Sequence, residues 1–245
     1  IRDRSEGNIK FGMPENWIAD ERANGAGRGD RLEGVFASCS SSDQQKISYY
    51  RQKYPDVCEE AIGNLIYFRR SRTIHLPCYC IYSLKESLFS APYQQGMQYI
   101  SADIPGACFQ DFANHASMEN VNSLPLEDRP SIVAIKDGPE FLNRIKAALL
   151  ALGATEKEIL IKHVAYINKH MEFCYSQDSP EELFLKDTSF KNQSEARVIV
   201  NTDNPALLET LRNNPIRIGS LSDIAQQWDT YPKDGLHMLA QVQAH

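Results

Sequence analysis

No run of about 18 consecutive apolar residues occurs in this chain, so a membrane-spanning helix is not expected. The segment from Ile1 to Lys10 is polar and lacks the apolar stretch of a secretory signal, and the expected location is the cytoplasm. The chain opens as though in mid-structure, and residues upstream of Ile1 are expected. Histidine is sparse: the six residues form no His-Glu-x-x-His or similar cluster, and Cys78-x-Cys80 has no matching second pair. A bound metal is therefore not expected. There is no Gly-x-Ser-x-Gly elbow to support a hydrolase triad, no GK[ST] ending of a phosphate loop, and no carboxylate cluster for a two-metal nuclease. Positive charge is also in deficit. Lys and Arg number 26 against 32 Asp and Glu, and the net charge of −6 argues against a broad nucleic-acid-binding face. A local basic groove stays open, because net charge says little about distribution.

What is present reads as an ordinary globular composition, 42% hydrophobic and 24% charged over 245 residues. One domain spanning residues 1–245 is expected. A chain of this size buries roughly 70–75% of its unfolded surface and needs no covalent staple. The six cysteines, Cys39, Cys58, Cys78, Cys80, Cys108 and Cys174, are accordingly read as reduced, mostly buried thiols rather than as a disulfide framework.

Hydrophobic periodicity predicts a short strand at 8–12 and a long Gly-rich loop over 14–34 with a helical turn near Trp17–Arg22. A polar helix is predicted over Asp43–Tyr54, capped by Ser41 or Ser42. The segment Glu59–Phe68 fits strand or helix equally. Leu76–Leu84 (LPCYCIYSL) is the best candidate for a central buried strand. Further strands are predicted at 101–113, 131–135, 159–167, 196–200 and 216–219. Helices are predicted over Glu140–Leu152, after the Ser179-Pro180 pair, over Asp203–Leu211 and from Ser222 to Trp228. Strands outnumber helices and do not alternate with them. The expected class is therefore α+β, with a mixed or antiparallel β-sheet core and peripheral helices.

Three segments could carry chemistry. In Lys186–Val200 (KDTSFKNQSEARVIV), Phe190, Gln193, Glu195 and Arg197 lie just before and within a predicted strand. Gln193 and Glu195 are two apart, so in extended geometry they leave the same face and could grip a ligand. The same pattern fits a solvated edge with a Glu195–Arg197 surface ion pair. In Gly27–Gly34 (GRGDRLEG), the glycines admit close backbone approach, Arg28 and Arg31 could contact phosphate, and Asp30 and Glu33 could act as acid/base groups or order the loop. A solvated loop fits it as well. On the apolar strand, Tyr79, Tyr82 and Ser83 could flank a base or nicotinamide ring, or belong to the core.

The order of these elements resembles a broad group of bacterial proteins associated with abortive infection and phage defence. The residues that carry it are a strand ending in Phe11-Gly12, the RGD-x-LEG loop, the PCYCIYSL strand, the helix FLNRI and an F-x-x-Q-x-E-x-R strand. The Gln193-x-Glu195 element also resembles that of ADP-ribosyltransferases, which are split β-sandwiches with NAD in the cleft between two sheets. That resemblance implies a split β-sheet core, NAD as a substrate, Glu195 as the catalytic carboxylate and Gln193 as the residue orienting the acceptor. It implies Tyr82 or Ser83 as the middle-strand element of the nicotinamide pocket, with Phe190 flanking the ring and Arg28 and Arg197 among the groups near the dinucleotide. The acceptor would be a protein or a nucleic acid, and an antitoxin or regulatory partner is compatible with such an effector. The usual Ser-Thr-Ser is absent, and Arg2, Arg4 and Arg28 compete for the first-strand arginine. Two other classes are carried beside this one. One is a metal-independent nuclease or RNA-modifying effector using His75, Arg69–Arg72, Asp30 and Glu33. The other is a non-catalytic sensor or partner-binding module.

Overall fold

A computed structural model describes residues 7–24, 30–82, 99–102, 132–135, 137–175, 179–193 and 195–228. The chain begins with β1 (Asn8–Ile9) and then forms α1 (Pro14–Asn24), with Pro at its first position, where a missing N–H costs nothing. This helix replaces most of the predicted loop. β2 (Val35–Ser40) is followed by α2 (Gln44–Lys53), whose N-cap is Asp43, one residue beyond the serines expected there. The Asp43 side chain accepts from the Lys46 backbone N–H at 3.0 Å. β3 (Val57–Ile62) and β4 (Leu65–Arg70) resolve the ambiguous segment into a hairpin closed by Gly63 and Asn64, with Gly63 at φ +60. A two-residue turn of this kind needs a positive φ that glycine adopts without strain.

β5 (Cys78–Tyr82), β6 (Tyr99–Ala102) and β7 (Ile132–Ile135) follow, then α3 (Gly138–Ala151). The predicted 101–113 strand overlaps β6 at its start, and the Pro105-Gly106 turn lies outside the described residues. α3 is capped by Asp137 and buries Phe141, Ile145 and Leu149 on one face. Each such side chain contributes about 1.5–3 kcal/mol when removed from water.

The predicted 159–167 strand is two strands, β8 (Ile159–His163) and β9 (Ala165–Ile167), which belong to different sheets. β10 (Phe173–Cys174), a short 3-10 turn at Glu181–Phe184 and β11 (Leu185–Asp187) lead through a second 3-10 turn, Thr188–Gln193, into β12 (Glu195–Val200). α4 (Pro205–Asn213), capped by Asn204, β13 (Ile216–Arg217) and β14 (Ala225–Trp228) complete the described chain. The helix expected over Ser222–Trp228 is thus a turn followed by a strand. A helix that short is marginal by itself, whereas all four residues Ala225–Trp228 are in register with β7 as an edge strand.

The larger sheet has the order β14-β7-β6-β5-β12-β8, and every pairing in it is antiparallel. The second sheet, β10-β2-β4-β3, is also antiparallel. β1 pairs antiparallel with β13, and β9 pairs parallel with β11. The class is α+β with predominantly antiparallel sheets. The main apolar core lies where α3 and α4 cover one face of the larger sheet, around Ile81, Ile145, Leu149, Val198, Val200 and Leu207. Among the described residues no helix is long and apolar enough to cross a membrane. The described cysteines are free; Cys39 and Cys78 are buried and Cys80 is half-buried, but Cys58 and Cys174 are exposed, contrary to the expectation of buried thiols for these two. Cys108 lies outside the described residues.

Candidate functional site

Period-2 alternation puts Ala196, Val198 and Val200 into the apolar core and leaves Glu195 and Arg197 on the opposite face of β12. That face is as fully buried as the first: Glu195 is 1% and Arg197 0% exposed. The surface ion pair that the spacing allowed is therefore an interior one. Arg197 Nε donates to one Glu195 oxygen. The rest of its guanidinium meets the Glu33 carboxylate in a two-pronged contact, with Nη2 to Oε2 at 2.9 Å, and Nη1 also donates to the Leu183 carbonyl. The Trp17 ring lies 5.6 Å from the guanidinium carbon.

The two segments singled out separately in the sequence therefore converge. Gly34 makes this possible. Its φ is +67, and a Cβ there would come within 3.2 Å of Ile74, so the turn that delivers Glu33 to the seam favours glycine.

Lys186 Nζ donates to the second Glu195 oxygen at 2.8 Å and lies 4.7 Å from the centre of the Phe190 ring. The Glu195 backbone N–H donates to the Tyr166 hydroxyl at 2.8 Å, a contact brought about by the switch of the chain from β8 to β9. Burial alone would raise the Glu195 carboxyl, but Arg197 and Lys186 outweigh it and hold the group well below the ordinary carboxylate range. Glu33 behaves alike: burial opposes ionisation, and Arg197, Lys186 and Lys169 overcome it.

Asp30 begins the same turn. Its Oδ1 accepts from the Leu32 N–H at 2.9 Å, while its Oδ2 is buried with no hydrogen-bond partner among the described residues. Burial, reinforced by the Glu33 charge, raises its carboxyl to about 6 against the pull of Lys169, Lys186 and Arg197. Lys169 is wholly buried and donates to the Leu32 and Leu185 carbonyls, each at 2.8 Å. Burial lowers its pKa, and Asp30 and Glu33 offset part of that. Around this centre Arg69 donates to the Glu33 carbonyl and to Glu60, which also receives Arg22 and Arg31. Burial would raise Glu60, but these three arginines bring it down to about 2.

The other expected residues fall as follows. Arg28 and Ser83 lie outside the described residues. The backbone of Tyr82 is register-paired with Glu195, and its side chain lies outside the description. Gln193 does not share the strand with Glu195. It ends the 3-10 turn, so the two-residue spacing does not carry extended geometry there, and its side chain is likewise not described. Phe190 is half-buried against Lys186. Tyr79 packs between Phe11 and Phe141 in the apolar core.

The basic stretch does not form an outward-facing stripe. Arg69 and Arg70 are buried against Glu60 and Glu182, Arg72 pairs with Asp203, and His75 pairs with Glu15. Among the described residues no group of three or more His, Cys, Asp or Glu is placed to hold a metal ion. Lys169, Lys186 and Tyr166 were not foreseen as site residues. Lys186 stood inside the segment that was singled out, but Lys169 and Tyr166 carry no local signal. Comparisons with protein-family models, curated proteins and solved structures find no match.

Proposed function

We propose that this chain is an NAD-cleaving effector of bacterial phage defence, acting in the cytoplasm with an ADP-ribosyltransferase-like arrangement of its sheets. One observation supports this reading above the others. Glu195 opens an inner antiparallel strand, and its carboxylate is held ionised at the seam between the larger sheet and the turn that feeds the smaller one. A fixed carboxylate beside the nicotinamide ribose stabilises the positive charge that develops as the C1′–N bond breaks and its electron pair moves to the nicotinamide nitrogen.

Both Glu195 oxygens are engaged in the free protein, so substrate has to exchange a contact to reach one of them. Lys186 is the partner that would leave, because it is the more exposed of the two cations and the dinucleotide's diphosphate offers its ammonium another anion. Its departure frees Oε2 for the ribose, while Arg197, locked to Glu33, keeps the carboxylate oriented. Protein or nucleic acid would accept the ADP-ribose, and a regulatory partner would hold the activity silent. The pairing of Arg69 and Arg70 with buried carboxylates, and of Arg72 with Asp203 at the surface, gives no comparable support to a nuclease.

The test is NAD consumption by purified protein with cell lysate as the acceptor source, run beside Glu195→Gln. The expected result is loss of NAD with the wild type and at least a hundred-fold slower loss (~2.7 kcal/mol of barrier) with the variant. Equal rates in the two proteins, or no consumption by folded wild type, would sink the reading.

A further inference from the structure

We infer that Asp30 is the proton acceptor of the same site, and that its Oδ2, the oxygen not bonded to the turn, takes an O–H donor, either water or a hydroxyl of the acceptor molecule. The inference rests on the NAD-cleaving reading and adds a residue that the resemblance does not supply.

The geometry is unusual for a structural carboxylate. Oδ1 already closes the turn onto the Leu32 N–H, so the folding role of the side chain is met by one oxygen. The other oxygen is buried and accepts nothing from the described residues. Leaving a buried acceptor unmatched costs free energy, and such groups persist in folded proteins where a ligand or solvent completes them. The nearby cations are otherwise committed. Arg197 is held by Glu33 and Glu195, Lys186 by Glu195, and Lys169 by two carbonyls.

The charged groups that act on Asp30 come from every side. Glu33 lies on its own turn, Lys169 in the turn after β9, Lys186 on β11, Arg197 on β12, and Arg69 on β4. Their balance, dominated by burial, puts the Asp30 carboxyl at about 6, where a base is ionised at neutral pH and still basic enough to accept a proton.

The step balances without another reactant. The C1′–N bond of NAD breaks and its pair stays with neutral nicotinamide. The donor oxygen forms a bond to C1′ and its proton passes to Asp30 Oδ2. Water as donor gives free ADP-ribose, and an acceptor hydroxyl gives an ADP-ribosylated product.

The experiment measures the pH dependence of nicotinamide release for the wild type and Asp30→Asn, with labelled NAD and with or without lysate. The amide keeps the Oδ1 contact to Leu32, and near-UV circular dichroism establishes that the variant is folded. The wild type is expected to lose activity below an apparent pKa near 6, and Asp30→Asn to be at least a hundred-fold slower with that acidic limb gone. Label in free ADP-ribose alone assigns the donor as water, and label on macromolecules in lysate assigns it as an acceptor hydroxyl. A variant as fast as the wild type with the same acidic limb overturns the role of Asp30 and leaves the NAD reading standing. A variant that is merely slower, with the limb unchanged, reduces Asp30 to a structural residue. Absence of nicotinamide release from the wild type at every pH overturns both.

Discussion

The two faces of β12 are equally dry and are stabilised by opposite means. On one face Val198 and Val200 pack with Ile81, Ile145 and Leu149, where each methylene withdrawn from water adds its increment and geometry is forgiving. On the other, Glu195 and Arg197 meet Glu33 and Lys186, where charge must be matched atom by atom. Burying an ion pair rarely stabilises more than an apolar pair of the same shape would, because desolvation cancels much of the attraction. Apolar packing therefore accounts for stability, and the charged face has its own share of it where Ile199 meets Leu76 and Leu183. The charged face is a costly arrangement for stability alone, and the chemistry proposed for it would account for that cost.

Removing one charge from the seam should have the largest effect on stability. Arg197→Met strands the carboxylates of Glu33 and Glu195 in the interior, with an expected loss of about 3–5 kcal/mol in urea unfolding. A loss under about 1 kcal/mol would mean that water enters the seam and the two faces are not alike in dryness. Leu149→Ala comes next. It leaves a cavity under α3 and should cost about 2–4 kcal/mol, while leaving the NAD rate of the remaining folded protein unchanged. A slowed reaction in folded Leu149→Ala would break the division of labour between the faces.

Asp30→Asn should change stability in the other direction. The Asp30 pKa is raised from 3.8 to about 6 on folding, so the folded state binds the proton more tightly than the unfolded one. The stabilisation from that proton is full below about pH 4 and is lost as pH rises through about 6. Asparagine does not titrate. Relative to wild type, the variant should gain stability between those limits, by at most about 3 kcal/mol at pH 7, read from melting temperatures across the range. A constant difference at all pH values would show that Asp30 is not a strained carboxylate. At the small end, Arg51→Ala removes a surface contact to Glu59 and should leave the unfolding midpoint unchanged.

Much of this fold is legible from periodicity. The spacing of Phe141, Ile145 and Leu149 specifies a one-faced helix, and LPCYCIYSL contains a central strand. Gly63-Asn64 was the turn signal that would have split 59–68 into a hairpin. The charged site was legible only in halves. Both GRGDRLEG and the Glu195-x-Arg197 pair stand out locally, yet Glu33 and Arg197 are 164 residues apart and no spacing rule joins them. Lys169 sits between Asn168 and His170, where a solvated turn is the natural reading, and its burial follows from how β9 and β11 pair. Gln193 was assigned to the face of Glu195 because period 2 was extended one turn too far. The chain is still in a 3-10 turn there, and its strand geometry begins at Glu195.

The central claim is that the charged face of β12 does chemistry and the apolar face does not. Its most direct measurement is nicotinamide release from NAD by wild type, Glu195→Gln and Leu149→Ala, each rate divided by the folded fraction determined in the same sample. The account predicts wild-type rates for folded Leu149→Ala and a rate near background for folded Glu195→Gln. Equal rates for all three, or none from the wild type, would contradict it and leave the buried charges as architecture.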